Sequence, residues 1–210
     1  MIATQDIIIH NCEQGSEEWH KLRLGKLTGT SASQLLTKAP EGKIGAGLRT
    51  TLYKNIGQII TGEGGDDFSS KTTERGNALE PIARQAYQDE TFMMVDLVGF
   101  IQKGEYLGTS PDGLIFADGG AEIKCPEATE FVRYLDTGML KDEKKYLAQI
   151  QWNMFITGRD WWDYIVFHPE FGERSLNHKR INRDESVMDI FERKTSKYIA
   201  ELERILSTFK

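Results

Sequence analysis

The segment that most constrains this chain is residues 108–126, where strand-forming residues alternate with turn signals. Residues 114–116 are apolar and favour a strand, and the Asp-Gly-Gly of residues 118–120 is typical of a turn. The next five residues alternate with a period of two, which places Glu122 and Lys124 on the same face of an extended strand. We therefore expect a β-hairpin that carries a carboxylate and an ammonium group side by side.

A second carboxylate stands just before this hairpin. Asp112 lies in a Ser-Pro-Asp-Gly bend, and together with Glu122 and Lys124 it suits the hydrolysis of a phosphodiester. Carboxylate oxygens hold Mg²⁺ or Mn²⁺ while leaving positions for water and phosphate oxygens, and the bound metal raises the acidity of its water. A lysine beside them can orient that water and offset developing negative charge.

The spacing of the two carboxylates poses a difficulty. In an ideal hairpin that turns at residues 118–120, Asp112 lies on the Glu122 face but about four residues out of step, roughly 13 Å away. A bend at residues 111–113, or a different strand pairing, must bring them together. The alternative interpretation is coincidence, because Asp-Gly is a common turn pair and Glu-x-Lys a common exposed strand pair. The apolar neighbours of Lys124 favour a buried strand instead, where a free charge is costly.

The composition describes an ordinary folded protein. The chain has 210 residues, of which 39% are hydrophobic and 28% charged, and it includes ten Phe, seven Tyr and four Trp. These values predict a single domain over residues 1–210 with a substantial core. The net charge is −6, so a nuclease must gather its Lys and Arg on one face and rely on cations at its carboxylates.

The cysteine content and hydropathy exclude several other classes of protein. Cys12 and Cys125 alone provide neither a disulfide framework nor a four-cysteine metal cluster. No apolar run approaches the ~18 residues of a membrane span, and residues 1–10 lack the basic start and the cleavage site of a signal peptide. We therefore expect a cytoplasmic protein with no membrane partner.

The hydrophobic periodicity predicts an α/β fold, with a central mixed β-sheet flanked by helices. Strands at 92–100 and 105–109 are expected to lead into the hairpin as one antiparallel meander. The other expected elements are strands at 7–9 and 161–167, helices at 16–25, 48–61, 71–89, 129–135 and 146–157, a short helix opened by residues 28–33, and an amphipathic C-terminal helix at 187–208.

Three smaller features carry expectations of their own. Pro81 is expected to kink or to open the helix in which it lies. The loop 38–47 is expected near DNA. His168 lies at a strand end, a position more typical of a structural histidine than of a general base.

A candidate phosphate site lies early in the chain. The hydroxyl-rich residues 28–33 open a helix, whose free amides and positive dipole suit an anion. Arg23 lies nearby and has the fork geometry for a bidentate contact with phosphate. An ordinary helix cap beside a surface arginine explains the same residues equally well.

The motifs together point to a known family. Ser-Pro-Asp-Gly-Leu at residues 110–114, followed by Glu-Ile-Lys-Cys-Pro at 122–126, closely resembles the lambda exonuclease family of viral alkaline nucleases (YqaJ-like), within the PD-(D/E)xK superfamily. The resemblance covers roughly residues 13–170 and implies a restriction-endonuclease-like core. Its other motifs are Trp-His-Lys-Leu-Arg-Leu-Gly at 19–25, Gly-Asn-Ala-Leu-Glu at 76–80 and Tyr-Leu-Ala-Gln-Ile-Gln at 146–151.

The resemblance also assigns roles to catalytic and metal-binding residues. It implies that Glu80 is a third metal-binding carboxylate beside Asp112 and Glu122, and the Ile123 carbonyl is a further candidate ligand. It places Gln149 at the catalytic centre, in contact with water or phosphate.

A second group of implied residues binds DNA. Relatives hold the 5′-phosphate of a DNA end with an arginine and a serine, which correspond here to Arg23 and Thr30. Thr30 keeps the hydroxyl but adds a methyl group. Ser110 is expected to anchor phosphate as well, and Tyr146 to line the site.

In function, the resemblance implies a Mg²⁺-dependent exonuclease, with Mn²⁺ as a substitute, that degrades double-stranded DNA 5′-to-3′ to 5′-mononucleotides. The remaining 3′ overhang would serve recombination. Relatives form a ring-shaped homotrimer around DNA and act with a single-strand annealing protein, in a phage or prophage of a bacterial host.

Three alternatives stay open at this point. A structure-specific or restriction-type endonuclease shares the same core. A non-catalytic DNA-binding protein is disfavoured by the complete set of Asp112, Glu122 and Lys124. A two-carboxylate sugar hydrolase is disfavoured by the lysine beside Glu122.

Overall fold

The computed structural model of the protein describes residues 6–40, 43–64 and 71–209. Residues 41–42 of the predicted 38–47 loop therefore lie outside the described residues. Within the described part of the chain, the strands are β1 (Ile7–His10), β2 (Phe100–Lys103), β3 (Leu107–Thr109), β4 (Gly113–Ile115), β5 (Gly119–Lys124), β6 (Trp161–Phe167) and β7 (Leu176–Asn182), and the helices are α1 (Glu17–Arg23), α2 (Ala32–Leu36), α3 (Ala46–Thr61), α4 (Lys71–Thr91), α5 (Ala128–Thr137), α6 (Glu143–Thr157) and α7 (Glu185–Leu206).

The helix ends carry residues that stabilise them. Ser16 accepts a hydrogen bond from the Trp19 amide at the start of α1, and Asp184 caps α7 in the same way. Gly138 and Gly158 end α5 and α6 in the left-handed conformation, which satisfies carbonyl groups of the last turn. None of the described helices is long and apolar enough to cross a membrane.

The described strands form two sheets. β1, β2 and β3 make an antiparallel sheet, while β4, β5, β6 and β7 make a four-stranded sheet in that order. In the four-stranded sheet β5 runs parallel to β6, and the other two pairs are antiparallel. The predicted α/β fold, with a mixed sheet flanked by helices, is confirmed.

β6 lies at the centre of the core because both of its faces are covered. On one face Trp161 and Ile165 pack with Tyr87 of α4, and on the other face Trp162 and Tyr164 join the larger cluster that includes α6 and α7. A strand buried on both faces needs a nearly continuous apolar run, and the one charged residue of β6, the buried Asp163, is paired with Arg180. This requirement explains why β6 coincides with the predicted strand.

The turn of the central hairpin differs from the prediction. Ile115 pairs with Gly119, so the chain reverses at residues 116–118, and the turn predicted at 118–120 is wrong. Phe116 adopts a positive φ of 49° within this turn, a conformation that side chains other than glycine rarely take.

The two glycines of the predicted turn serve the packing of β5 against β6. A β-carbon on Gly119 would lie 2.1 Å from the ring of Trp161, and one on Gly120 would lie 2.3 Å from the ring of Trp162. Only residues without a side chain let the two strands and the tryptophans come this close. The Gly-Gly pair therefore marks a place where the tryptophan rings of β6 approach the backbone of β5, and not a chain reversal.

The predicted continuous meander is wrong in two respects. The strand expected at 92–100 begins only at Phe100. β3 and β4 also belong to different sheets, because the chain leaves the first sheet at residues 110–112. Pro111 has no amide hydrogen to continue a ladder, and Gln14 holds its carbonyl with a hydrogen bond of 2.9 Å.

Two further elements depart from expectation. β7 forms in the polar span 176–182, where the sequence predicts no strand, and it is the edge strand of its sheet. Pro81 lies inside α4, which extends from Lys71 to Thr91, so the proline does not open that helix. The predicted helices at 146–157 and 187–208 are confirmed, with α6 and α7 starting at Glu143 and Glu185.

Candidate active site

The hairpin brings Asp112 and Glu122 next to each other. Because Gly113 pairs with Ala121, the preceding residue Asp112 falls opposite Glu122, and the four-residue offset disappears. Asp112 Oδ2 accepts a hydrogen bond of 2.6 Å from the amide of Ile123. The difference in strand pairing thus removes the spacing difficulty.

Lys124 completes this centre. Its Nζ donates a hydrogen bond of 2.6 Å to Glu122 Oε1, which confirms that the two side chains share a face. Glu122 is fully buried, whereas the Lys124 side chain is 21% exposed, so the ammonium group reaches the surface of a cleft. The ring of Tyr146 on α6 lies 5.1 Å from Lys124 Nζ, in range for a cation–π contact.

The charges of this centre perturb one another. Burial raises the pKa of Glu122 to about 7, with a further contribution from Asp112, although Lys124 opposes the shift. Burial, followed by the Asp112 carboxylate, also raises the pKa of Glu80 to about 7. Burial lowers the pKa of Lys124, but Glu122 and Asp112 outweigh it and the net shift is upward. Lys124 therefore stays an ammonium ion, and ionisation of all three carboxylates is opposed.

The donor set suits a hard divalent cation in an open site. Within the described ranges, no three His, Cys, Asp or Glu side chains are arranged to hold a metal ion by themselves. A cation beside Asp112 and Glu122 would take further ligands from water, phosphate or a backbone carbonyl such as that of Ile123, and Mg²⁺ commonly keeps such ligands. The raised carboxylate pKa values mark a place where a cation would relieve repulsion.

Glu80 reaches the same cleft from helix α4. The cleft has a volume of about 500 Å³, and its lining includes Glu80, Asp112, Lys124 and Tyr146. Arg84 Nη1 lies 3.3 Å from Glu80 Oε1, one turn along α4. Arg84 was not singled out from the sequence, although its i, i+4 spacing from Glu80 is the signal of an ion pair.

Two residues that were not predicted to belong to the site are connected to Glu122. One bonds Glu122 directly, and the other bonds the first. Asn153 Nδ2 donates to Glu122 Oε2 at 3.1 Å, and Thr109 Oγ1 donates to Asn153 Oδ1 at 2.5 Å. Thr109, Glu122 and Asn153 are all buried. Asn153 shares a helical face with Gln149, which is the signal available from the sequence, whereas Thr109 offers none.

Ser110 lies where the chain passes from the first sheet to the second, and helix α1 holds it there. Trp19 Nε1 and Arg23 Nη1 donate to Ser110 Oγ at 2.8 Å and 3.0 Å. The guanidinium of Arg23 also stacks over the Trp19 ring at 4.1 Å. Arg23 and Glu80 line one cavity of about 950 Å³, so the arginine of the predicted phosphate site borders the same groove as a predicted metal ligand.

Thr30 lies on the other side of Arg23. It is exposed, and its hydroxyl is 3.2 Å from that of Thr28. Both threonines and Arg23 line a cavity of about 380 Å³, together with Lys26. The structure therefore brings Arg23 together with both Ser110 and Thr30.

The backbone near Thr30 differs from the expected helix start. It forms a 3₁₀ turn, Gly29–Ser31, followed by the five-residue α2, and Ser31 makes no side-chain cap. So short a helix has a small dipole, and anion binding would depend on side chains. Gln149 packs against this turn, because a β-carbon on Gly29 would lie 3.1 Å from Gln149 Cγ.

His168 has a structural environment. It is buried, its Nδ1 accepts a hydrogen bond of 3.4 Å from the Glu170 amide, and its ring packs against Phe131 and Phe171 at centroid distances of 5.6 Å and 4.9 Å. These contacts favour the structural interpretation over a general base.

Solved structures of exonucleases share this arrangement of elements. The alkaline exonuclease LHK-Exo from Laribacter hongkongensis is 32% identical, with a TM-score of 0.79 over 92% of this chain and 96% of that chain. LHK-Exo in complex with dAMP gives 33% identity and a TM-score of 0.80 over 93% and 96%. A phage-related exonuclease from Haemophilus somnus 129PT, at 14% identity, has the same fold with a TM-score of 0.70 over 88% and 96%.

Sequence comparisons agree with the structural ones. ExoD, an uncharacterised protein of Escherichia coli K12, is 27% identical over 62 residues, which are 30% of this chain and 71% of that protein. A family model described as the YqaJ-like viral recombinase domain matches residues 18–160, a range that contains all the motifs on which the resemblance rests. The chain therefore belongs to the YqaJ-like viral recombinase domain family of lambda-exonuclease-like proteins, with the PD-(D/E)xK fold.

Proposed function

We propose that this protein is a Mg²⁺-dependent exonuclease that degrades one strand of linear double-stranded DNA in the 5′-to-3′ direction. The observation that carries the proposal is the buried Glu122 beside the half-buried Asp112, with Lys124 at the edge of a cleft that Asp112 and Glu80 also line. The likeness to the alkaline exonuclease LHK-Exo at 32% identity supports a nuclease. The expected products are 5′-mononucleotides and a 3′ overhang that single-strand annealing can use.

Asp112, Glu122 and Glu80 are the proposed metal ligands, with the Ile123 carbonyl as a backbone ligand. Mg²⁺ is the proposed ion, and Mn²⁺ is expected to substitute for it. When bound, the ion supplies acidified water and neutralises charge on the phosphoryl group. The side chains must be ionised to hold it, so the pKa values of about 7 for Glu80 and Glu122 predict that metal binding releases protons near neutral pH.

Lys124 is proposed to orient the attacking water and to stabilise the negative charge that develops on the phosphate. Its raised pKa keeps it protonated, so it acts as a fixed positive charge and not as a base. Tyr146 covers its ammonium group on one side. Gln149 is proposed to contact water or a phosphate oxygen from the side of Thr30.

The proposed 5′ specificity depends on Arg23, Ser110 and Thr30. Arg23 and Ser110 are already hydrogen-bonded, so little ordering is required before they bind a terminal phosphate. An arginine presents planar donors that match phosphate oxygens. With this group held, the adjacent phosphodiester would extend along the groove toward Asp112.

The remaining expectations concern the assembly and its setting. We propose that residues 1–210 act as one nuclease domain, that three copies form a ring around DNA, and that a single-strand annealing protein is a partner. The proposed location is the cytoplasm of a bacterial host that carries a phage or prophage. Family membership supports these proposals.

Digestion of a linear duplex with a labelled 5′ end tests activity, polarity and metal need together. With Mg²⁺ we expect the label to appear first as a mononucleotide, and with EDTA we expect none. A matched duplex with a labelled 3′ end should release its label only late. First release from the 3′ end, or equal release without metal, would contradict the proposal.

Arg23→Ala tests the phosphate site. The wild type should degrade 5′-phosphorylated ends faster than 5′-hydroxyl ends, and the variant should lose this preference while retaining activity. Arg49→Ala is the control, because Arg49 is a surface arginine near Tyr53 and Glu201. Equal rates on both ends in the wild type and in Arg23→Ala would reject the assignment.

The main alternative is a structure-specific or restriction-type endonuclease with the same core. Closed circular duplex DNA separates the two functions, since it has no end. We expect this DNA to remain intact with Mg²⁺ under conditions that consume the linear form. Linearisation or nicking of the circle would favour the endonuclease.

A further inference from the structure

We infer that Asn153 and Thr109 form a buried positioning pair that fixes the orientation of the Glu122 carboxylate toward a metal ion. The inference rests on the proposed metal-dependent nuclease function and adds two residues that the family motifs do not include. Neither residue is expected to touch DNA, because Thr109 is 2% exposed and Asn153 is completely buried. They act through Glu122.

The chemistry of the three groups sets the direction of the hydrogen bonds. An ionised Glu122 can only accept, so the Asn153 amide must present its NH₂ group to Oε2, as it does at 3.1 Å. Asn153 Oδ1 then points away and needs a donor, and the Thr109 hydroxyl supplies one at 2.5 Å. Each polar atom that faces this interior has a partner, which is the condition under which a buried network specifies one geometry.

The pair restrains the Glu122 oxygen that Lys124 does not hold. Lys124 binds Oε1 at 2.6 Å, and a single contact leaves the carboxylate plane free to rotate about the last side-chain torsion. The second contact, from Asn153 to Oε2, stops this rotation. Hydrogen bonds of this kind, made to ligands and not to the metal, tune metal affinity in other proteins by about 10–100-fold.

The pair also connects the two halves of the site. Asn153 belongs to α6, which carries Tyr146 and Gln149, while Thr109 ends β3 in the other sheet. The next residue is Ser110, which Trp19 and Arg23 hold. Two sets of side-chain hydrogen bonds, joined by the peptide bond between Thr109 and Ser110, therefore connect the proposed phosphate site with the proposed metal site.

Asn153→Leu is the central test, because leucine keeps the branched shape and the number of side-chain heavy atoms while removing both hydrogen bonds. We expect Mn²⁺ to bind to the folded protein about tenfold more weakly or worse, measured by calorimetry without DNA. We also expect kcat at subsaturating Mn²⁺ to fall at least tenfold, while KM for DNA ends changes less than twofold. If Asn153 only filled the core, its replacement would change thermal stability, but it would not lower kcat selectively at a nearly constant KM.

Thr109→Val is the second variant and keeps the inference testable if Asn153→Leu does not fold. Valine is nearly isosteric with threonine, and its loss of the hydroxyl leaves Asn153 free to turn. We expect a weaker effect in the same direction, about threefold to tenfold on Mn²⁺ affinity. Thr195→Val is the matched control, since Thr195 is a buried threonine of α7 that bonds only helix carbonyls of its own turn in the described structure, and its Mn²⁺ affinity should equal that of the wild type.

The double variant shows whether the two residues act as one unit. In the Asn153→Leu background, Thr109→Val should add less than twofold, because its route to Glu122 is already broken. Folded single variants with wild-type Mn²⁺ affinity and kcat, or fully additive effects in the double variant, would overturn the inference. If the wild type neither binds Mn²⁺ nor cleaves DNA, the proposed function itself fails, and this result is distinct from the other two.

Discussion

Lys124 and the fully buried Glu122, whose charged atoms are 2.6 Å apart, stabilise each other's charge. Glu122 is tolerated in the interior because Lys124 and Asn153 satisfy its two oxygens. Breaking such a pair by removing one partner leaves an uncompensated buried charge, which is usually more costly than losing an exposed pair. The proposed mechanism gives the pair a chemical role as well, so folding and catalysis must be measured separately.

Lys124→Ala is predicted to lower kcat by at least about a thousandfold, because the fixed positive charge near the reacting phosphate is lost. Folding and binding of DNA in Ca²⁺ should persist, as measured by circular dichroism and fluorescence anisotropy. Lys179→Ala is the control, since Lys179 bonds the buried Glu143 at 2.7 Å in a comparable pair. Near-normal turnover by the Lys124 variant would remove this lysine from the mechanism.

Glu80 makes stability depend on pH in the metal-free protein. Its pKa rises from the ordinary 4.5 to about 7 on folding, so between these values the folded state binds protons that the unfolded state does not. The contribution of Glu80 to the free energy of unfolding then falls as pH increases through this window and is lowest above pH 7.

Glu80→Gln is therefore predicted to stabilise the metal-free protein at pH 8, by roughly 1–2 kcal/mol after allowance for partial exposure, and to have little effect at pH 5. Urea denaturation in EDTA at the two pH values measures this. Glu17→Gln, at an exposed helix position, is the control and should give no such gain. A variant whose stability follows the wild-type pH profile would contradict the assignment.

At the scale of elements, the position of β5 sets the geometry of the candidate site, and its neighbouring strands and side chains hold β5 in place. It pairs with β4 and β6, and the tryptophans of β6 cover its first two residues. Any displacement of β5 would move Glu122 and Lys124 relative to Asp112, which belongs to the preceding bend. Glycine at positions 119 and 120 is thus a requirement of the site's geometry.

Gly119→Ala is predicted to destabilise the protein by roughly 2–3 kcal/mol, because its β-carbon would overlap the Trp161 ring. Gly57→Ala is the matched control: nothing lies within 4 Å of a β-carbon there. It lies within α3, so alanine should stabilise by up to about 1 kcal/mol. Thermal denaturation of both variants tests the pair of predictions. Equal melting temperatures would show that β5 and β6 separate more easily than the geometry indicates.

At the scale of the whole molecule, the net charge of −6 opposes the binding of DNA. Favourable charge is confined to local groups, among them Arg23 and Lys26 along one cavity. Asp112 and Glu80 line the same groove system beside the buried Glu122, and these carboxylates repel phosphate when no cation is present. Divalent ions should therefore govern the binding of substrate as well as its hydrolysis.

We predict that replacing Ca²⁺ with EDTA weakens binding of a labelled linear duplex at least tenfold at fixed ionic strength, measured by fluorescence anisotropy. Asp112→Asn should reduce this dependence, because one repulsive charge is gone. Asp136→Asn, on α5 at an exposed position, should leave it unchanged. Equal affinity of the wild type in Ca²⁺ and EDTA would show that the carboxylates do not control DNA binding.

Local hydrophobic patterns were sufficient to predict the elements whose buried faces can be recognised from the spacing of their apolar residues. The apolar run of β6 and the periodic stripe of α7 each predict their element, because burial on fixed faces imposes a fixed spacing. These patterns did not predict β7, whose polar residues pair with β6 at the edge of the sheet. They also did not reveal the role of Gly119, which depends on the ring of Trp161, about forty positions away in the chain.

The sequence by itself determined the chemistry of this protein: the types of the charged residues, their order, and the alternation that puts Glu122 and Lys124 on one face. The tertiary structure decided which of these groups meet. The pairing of β4 with β5 sets Asp112 opposite Glu122, and the packing of α6 on the sheet brings Asn153 to the same carboxylate. The reason is physical, since spacing along a chain is fixed by covalent geometry, whereas contacts between distant segments follow from how their side chains pack.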